Sequence, residues 1–431
     1  MTETLFTEQD RQLLLDMLNI PTVSPLESGN RAELARAQHT YARAAQRAGM
    51  RVAQHTAPPA ECLDRDAVPS TVRAAAAADP AFLDDQPSLV LRLGPQRPRA
   101  NTVMVNVHLD TVAGIEPVGF DGQRFTGRGS VDAKGPAAAV LAGIRHAAAT
   151  EPALGRDVTV LVQAVSGEEG GAMGTYGTRP LVEQGWVGRL NVFCEPTGLR
   201  ALSRATASAT ARISVQGTGS IDDHPDHGDN ATVLLGFLAQ HLAAGLDRQH
   251  RPGRTCVAGL RTGETHNCVH GTGQLLVNLS YASSAEGTAI ERELAAQLDK
   301  GLAEFAAQFG GSREFARTAR DASEITHLDW IKRGLPSLDC SDPLVPELCS
   351  RADIPLWPPD EPGFTCDAIW MDGVADTATT VLGPGSLDTN HAHAAGEHVH
   401  LHQLNDFAAA VSRLLVEFAR DHRNTEENTA R

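Results

Sequence analysis

Five short segments carry residue types that could do chemistry, and most of them close an apolar run. His108-Leu109-Asp110 ends the run Thr102-Val-Met-Val-Asn-Val. Alternation along an extended chain puts His108 and Asp110 on one face. An imidazole with a carboxylate two residues on is a frequent metal-holding pair, the carboxylate orienting the ring, although a surface His beside an Asp is also ordinary. Gly127-Arg-Gly-Ser-Val-Asp132-Ala-Lys-Gly135 sets a carboxylate in a Gly-rich turn ahead of a helix, where Asp132 taken alone reads as an N-cap.

Ser166-Gly167-Glu168-Glu169-Gly170 follows the apolar run Val158–Val165. Neighbours on extended chain point opposite ways, so one Glu can bind a metal while the other faces substrate. A Glu free of the metal can accept a proton from water. Cys194-Glu195-Pro196-Thr197 ends Leu190-Asn-Val-Phe; Cys194 as a nucleophile is the alternative there, but a small buried Cys is far more common. Asn390-His391-Ala392-His393 is followed by Glu397, His398, His400 and His402, which alone is a His-rich surface loop. Together, two His and three carboxylates make a nitrogen–oxygen donor set suited to Zn²⁺ or another divalent first-row metal. A bridging carboxylate with a ligand pair on either side would make a two-metal site, whose chemistry is to activate water and polarise a carbonyl.

The elements that must position these residues are legible as texture. Ser88–Leu93, Thr102–Val107, Val158–Val165 and Leu190–Phe193 read as buried strands, and Pro136–Thr150 as a helix between two of them. Buried strands alternating with helices imply an α/β layer with a mostly parallel sheet, and in such sheets ligands bind at strand ends. From Thr206 the period changes. Strands at Ala209–Val215 and Leu275–Tyr281, helices at 230–244 and 285–309, and a last strand at Phe315–Ile325 suggest a small α+β sandwich. A Pro-rich stretch, a strand at Thr379–Leu382 and a helix from about Leu404 to Arg420 close the chain. The domains are thus expected at 1–205 (catalytic, first part), 206–322 (insertion) and 323–431 (catalytic, second part).

Lys plus Arg number 37 and Asp plus Glu 53 in 431 residues, a formal charge of −16. That disfavours nucleic acid and anionic membrane surfaces as partners. Hydrophobic residues at 42% suffice for a packed core. The start MTETLFTEQD has neither the basic residues nor the apolar stretch of a signal peptide, and no run approaches the ~20 apolar residues of a membrane span. Seven scattered Cys, never as CxxC, fit a reduced cytoplasmic protein.

The ordered set HLDTV, GRGSVDAKG, GEEGG, CEPTG and GPG with a following His resembles the zinc-dependent family of acetylornithine deacetylase, succinyl-diaminopimelate desuccinylase, aminoacylase and glutamate carboxypeptidase. The resemblance spans nearly the whole chain, about residues 8 to 420. It implies a zinc aminopeptidase/carboxypeptidase-type catalytic domain with an inserted ferredoxin-like lid through which a homodimer forms. It also implies two Zn²⁺ (Co²⁺ or Mn²⁺ as substitutes) held by His108, Asp132, Glu169, Glu195 and a late His, with Asp132 bridging. Asp110 would brace His108, and Glu168 would be general base and then acid. Counting from GPG selects His391 as the late ligand; counting four back from Glu397 selects His393, which is preferred.

Two positions depart from the family pattern. Relatives place an oxyanion-stabilising His in the lid where this chain has Ile221, so that His224 or His227 would have to substitute. They often place a carboxylate-binding Arg where Ser280 aligns; Asn267 matches the lid Asn that approaches substrate. The expected activity is hydrolysis of a small-molecule amide by N-deacylation. The alternatives are a dipeptidase or carboxypeptidase, a specialised biosynthetic deprotecting enzyme, and a non-catalytic metal-binding relative. The acidic loop with Asp222, Asp223, Asp226 and Asp229 could favour a substrate bearing an amine or guanidine, or could simply be solvated.

Overall fold

The computed structural model describes residues 4–28, 31–247 and 253–429, with side chains followed to Asp421 in the last helix. The chain divides into two compact units, Met1–Ala205 with Leu338–Arg431, and Thr206–Ser337.

The first unit is built on a six-stranded sheet in the order Arg51–Thr56, Ser88–Leu93, Thr159–Val165, Thr102–His108, Leu190–Phe193, Ala378–Val381. The last four pair in parallel, and the first two add antiparallel at one edge. Thr102–His108 and Thr159–Val165 are buried at every residue, as strands covered on both faces must be. Parallel register aligns His108 with Val165, so the two central strands end side by side and deliver His108 and the Glu168–Glu169 turn to one edge.

Helix Lys134–Thr150 is buried along most of its length and packs against helix Leu401–Thr429. Gly143 permits the approach, since a Cβ there would lie 2.6 Å from the Ala408 carbonyl oxygen. A small antiparallel sheet pairs His398–His400 with Arg124–Thr126, and that strand with Gly119–Phe120. It draws the late His-rich loop to the turn that precedes Asp132. Among the described residues no helix is long and apolar enough to cross a membrane.

The second unit is a four-stranded antiparallel sheet in the order Thr255–Arg261, Thr272–Tyr281, Ala207–Gln216, Thr326–Lys332. Helices Ala231–Asp247 and Ser284–Phe309 pack together on it through Leu234, Leu238, Leu294 and Phe305. The order strand, helix, strand, strand, helix, strand is ferredoxin-like. The expected strand at Phe315–Ile325 is instead helix Ala316–Ile325, which buries Thr318, Ala319 and Ala322 on one face. The closing strand follows it and pairs with Ala207–Gln216. This unit therefore runs to Ser337 rather than to 322.

Candidate metal centre

His108 is the last residue of its strand and is buried. Its Nδ1 lies 3.0 Å from the backbone carbonyl of Asp110, which fixes that nitrogen as the N–H donor and leaves Nε2 free to act as a ligand. Nε2 is 2.8 Å from Asp132 Oδ1 and 4.0 Å from Glu195 Oε1. The other oxygen of Asp132, Oδ2, is 3.0 Å from His393 Nε2, which is also 3.1 Å from Glu169 Oε1. Potential ligand atoms therefore converge in two groups that share Asp132: His108 with Glu195, and Glu169 with His393. Glu168 joins His108 and Glu169 in a third.

The structure brings His393 to this centre and leaves His391 outside it. His391 is exposed and packs its ring on His398, 5.7 Å between centroids. Both His391 and His393 have positive φ, 55° and 61°, which is uncommon for His and costs backbone energy. Asp110 stands beside His108 and also reaches the Glu168–Glu169 turn. Its carboxylate is 3.9 Å from His108 Nδ1, while it accepts the backbone N–H of Glu169 at 2.9 Å and of Glu168 at 3.4 Å. Its backbone carbonyl orients His108, and its side chain holds the Glu168–Glu169 turn.

The electrostatics call for a cation. Asp132, Glu168, Glu169 and Glu195 converge on only two imidazoles. Burial and the charges of Glu195 and Glu169 raise the Glu168 carboxyl far above its ordinary range, and burial with the Asp132 charge does the same to Glu195. Burial pushes Glu169 up to about 7 against the pull of His393. Burial opposes ionisation of Asp132 as well, but hydrogen bonds from His108 and His393 hold it below the usual carboxylate range. The hydrogen bond to Asp132 and the Glu169 carboxylate 3.1 Å away lift His393 to about 11. Glu169 Oε1 is buried without a hydrogen-bond partner, because one nitrogen cannot serve two carboxylates. Such a donor set, oxygen-rich and short of protons, suits divalent cations. Cys194 is buried, and desolvation raises its thiol well above the ordinary value, which disfavours the nucleophile reading.

Glu397 served in the sequence only as a counting mark. Here, 1% exposed, it accepts the backbone N–H groups of Gly129, Val131 and Asp132 at 3.1, 3.1 and 3.3 Å and an Arg128 N–H at 2.7 Å. Asp367 was missed altogether. It is the lone charged residue in Phe364–Met371, and that isolation was the available signal.

The remaining candidates lie in the second unit. Asn267 is exposed. His224 and His227 are exposed and stack on each other, 4.9 Å between centroids. Ile221 is 55% exposed and pairs with Cys268, next to Asn267. Ser280 Oγ accepts the Arg254 backbone N–H at 2.7 Å, a bond internal to this unit. Asp229 is buried, accepting the Thr218 N–H at 2.8 Å and pairing with Arg317 at 3.3 Å; it is structural, whereas Asp222, Asp223 and Asp226 are exposed.

Residues 104–417 match the family model described as peptidase family M20/M25/M40. A curated protein of Aeropyrum pernix, described as a LysW-lysine/LysW-ornithine hydrolase, is 32% identical over 200 residues, 46% of this chain and 52% of its own length. The chain thus matches about half of that relative. Among solved structures, a dipeptidase of Saccharomyces cerevisiae superposes with a TM-score of 0.68 at 10% identity, covering 96% of each chain. An M20 family metallo-carboxypeptidase of Sulfolobus solfataricus gives 0.66 at 12% identity, covering 96% of this chain and 100% of its own. At these identities the two structures speak for the fold.

Proposed function

The chain belongs to peptidase family M20/M25/M40 and is a metal-dependent amidohydrolase, and from that premise we propose that it removes an acyl group from an amine or amino-acid derivative at a two-metal centre. The observation that carries this reading is the division of Asp132, one oxygen facing His108 and the other His393. In this reading Asp132 would be the carboxylate shared by two Zn²⁺, or by Co²⁺ or Mn²⁺ in their place. His108 and Glu195 hold one ion, Glu169 and His393 the other. Bound there, the ions supply Lewis acidity, lowering the pKa of a water and polarising the amide carbonyl.

Glu168 would take a proton from the attacking water and deliver it to the leaving nitrogen. It is half-buried where its neighbour Glu169 is buried, as the substrate-facing member of the pair should be. Asp110 keeps both glutamates in place through their backbone N–H groups. The second unit acts as the lid and the surface of a homodimer, and Asn267 is its substrate contact. The compartment in this reading is the cytoplasm, resting on seven scattered Cys that never form a CxxC.

The substrate reading takes one lead from the Aeropyrum pernix protein, whose description names lysine and ornithine joined to LysW. An amine product with a cationic side chain fits the net charge of −16 and the exposed Asp222, Asp223 and Asp226.

The test is metal analysis with a panel of N-acetyl, N-succinyl and N-formyl derivatives of lysine, ornithine and neutral amino acids, together with plain dipeptides. Two equivalents of metal and hydrolysis of the acyl-lysine or acyl-ornithine members are expected. Cleavage confined to dipeptides would assign a dipeptidase instead. Glu168→Gln should keep both metals and lose roughly 10²–10⁴ in turnover; retained turnover removes Glu168 from its role.

A further inference from the structure

Asp367 is a buried charge that the mechanism above does not use. It opens the short helical segment Asp367–Met371 in the first unit and is 1% exposed. Thr178 Oγ1 donates to its Oδ2. Thr178 in turn receives an N–H from Asn106 at 3.1 Å, two residues before His108 on the same strand. Oδ1 has no hydrogen-bond partner. The space beside that oxygen exists because residue 174 is glycine: a Cβ there would lie 2.4 Å from Oδ1. The same segment grips the turn that carries Glu168 and Glu169. The Trp370 indole donates to the Met173 carbonyl at 2.7 Å, and the Met173 and Gly174 N–H groups close the turn onto the Glu168 and Gly167 carbonyls at 3.2 and 2.6 Å.

A carboxylate so placed is unfavourable unless positive charge lies near it. Burial raises it to about 7, only partly offset by Thr178 and His108, while Asp110 and Glu169 add repulsion. Its charge in turn raises the proton affinity of Glu168 and Glu195. A lone structural acceptor for one threonine proton does not need a charge, and asparagine would serve as well. Bound cations change the balance, because each charge that repels this carboxylate is then offset by a larger one of opposite sign.

We propose that Asp367 is a positioning residue of the metal centre, an outer carboxylate that binds no metal itself and whose charge strengthens cation binding by the residues in front of it. This rests on the two-metal reading given above.

The experiment compares wild type, Asp367→Asn and Thr178→Val, all full-length. Zn²⁺ affinity is measured by competition with a chelating dye, and melting temperature before and after EDTA treatment. Wild type must bind two equivalents; if it does not, the reading of the centre fails before any variant is compared. Asp367→Asn keeps the shape and the bond from Thr178 and loses the charge. It is expected to weaken Zn²⁺ binding roughly 10-fold or more, while the EDTA-treated form melts at or above the wild-type temperature because repulsion is relieved. Thr178→Val keeps the charge and should bind Zn²⁺ within about threefold of wild type. Unchanged Zn²⁺ affinity in Asp367→Asn overturns the proposal. So does an equal loss in Thr178→Val, which would make the hydrogen-bond scaffold the cause. Should Asp367→Asn not fold, Asp367→Ser with the same readouts replaces it.

Discussion

Glu397 accepts the backbone N–H of Asp132 although the two residues lie 265 positions apart. The same carboxylate takes the N–H groups of Gly129 and Val131 and an Arg128 N–H. The turn before Asp132 is therefore wrapped around an anion from the far end of the chain. His393 stands four residues earlier on the segment that supplies Glu397, so one loop both fixes Asp132 and places its second imidazole. Glu397→Ala should leave three buried backbone donors and one guanidinium without their acceptor. The expected cost is roughly 3–5 kcal/mol in unfolding free energy, with a 10- to 100-fold loss of Zn²⁺ affinity. Chemical denaturation and metal titration check the two separately, and a variant normal in both would contradict the role.

His391 and His393 can be told apart by one substitution each. His393→Ala removes the nitrogen shared by Asp132 and Glu169. It should bind one metal equivalent fewer and lose more than about 100-fold in turnover. His391→Ala removes an exposed ring that packs on His398 and bonds the Ala395 carbonyl at 3.3 Å, and should stay within about twofold of wild type. Metal stoichiometry by elemental analysis decides between them.

Glu169 makes metal binding and stability depend on pH. Its folded value, about 7, lies above the ordinary 4.5. A raised carboxyl contributes stability that is fully present below the unfolded value and is lost as pH rises through the folded one. Asp367, also lifted to about 7, acts in the same direction. EDTA-treated protein should therefore melt at progressively lower temperature as pH rises from about 4.5 to 7. Zn²⁺ requires the ionised carboxylate, so its affinity rises over the same window. The gap in melting temperature between loaded and EDTA-treated protein should widen from pH 5 to pH 7.5. A gap that narrows or stays constant counts against the assignment.

The acidic loop divides into structural and solvent-facing members. Asp229→Ala, which strands the Thr218 N–H and Arg317, should destabilise by about 1–3 kcal/mol. Asn at Asp222, Asp223 and Asp226 together should leave stability within about 0.5 kcal/mol while raising KM for a cationic substrate. An unchanged KM would falsify the proposed contact with a cation.

What the sequence by itself determined is local. His108, Glu168, Glu169 and Glu195 follow apolar runs whose period marks buried strands, and a strand end is where a parallel sheet offers side chains to a ligand. The change of texture at Thr206 marks the second unit because a new sheet begins there. The helix at Ala316–Ile325 is harder to read, since six polar residues among ten, with a narrow apolar face of alanines, resemble a solvated strand as much as a helix. Tertiary structure alone decided the rest. The two spacing rules disagree, the count from Glu397 favouring His393 over His391, and the side each imidazole faces depends on two positive-φ residues in that loop. Asp110 was read as a partner of His108 from proximity in sequence, yet its carboxylate turns to the Glu168–Glu169 amides, which only strand pairing brings near. Glu397 and Asp367 act across the chain on Asp132 and Thr178. Contacts of that range leave no periodicity behind, because they depend on which buried donors the folded backbone leaves to be satisfied.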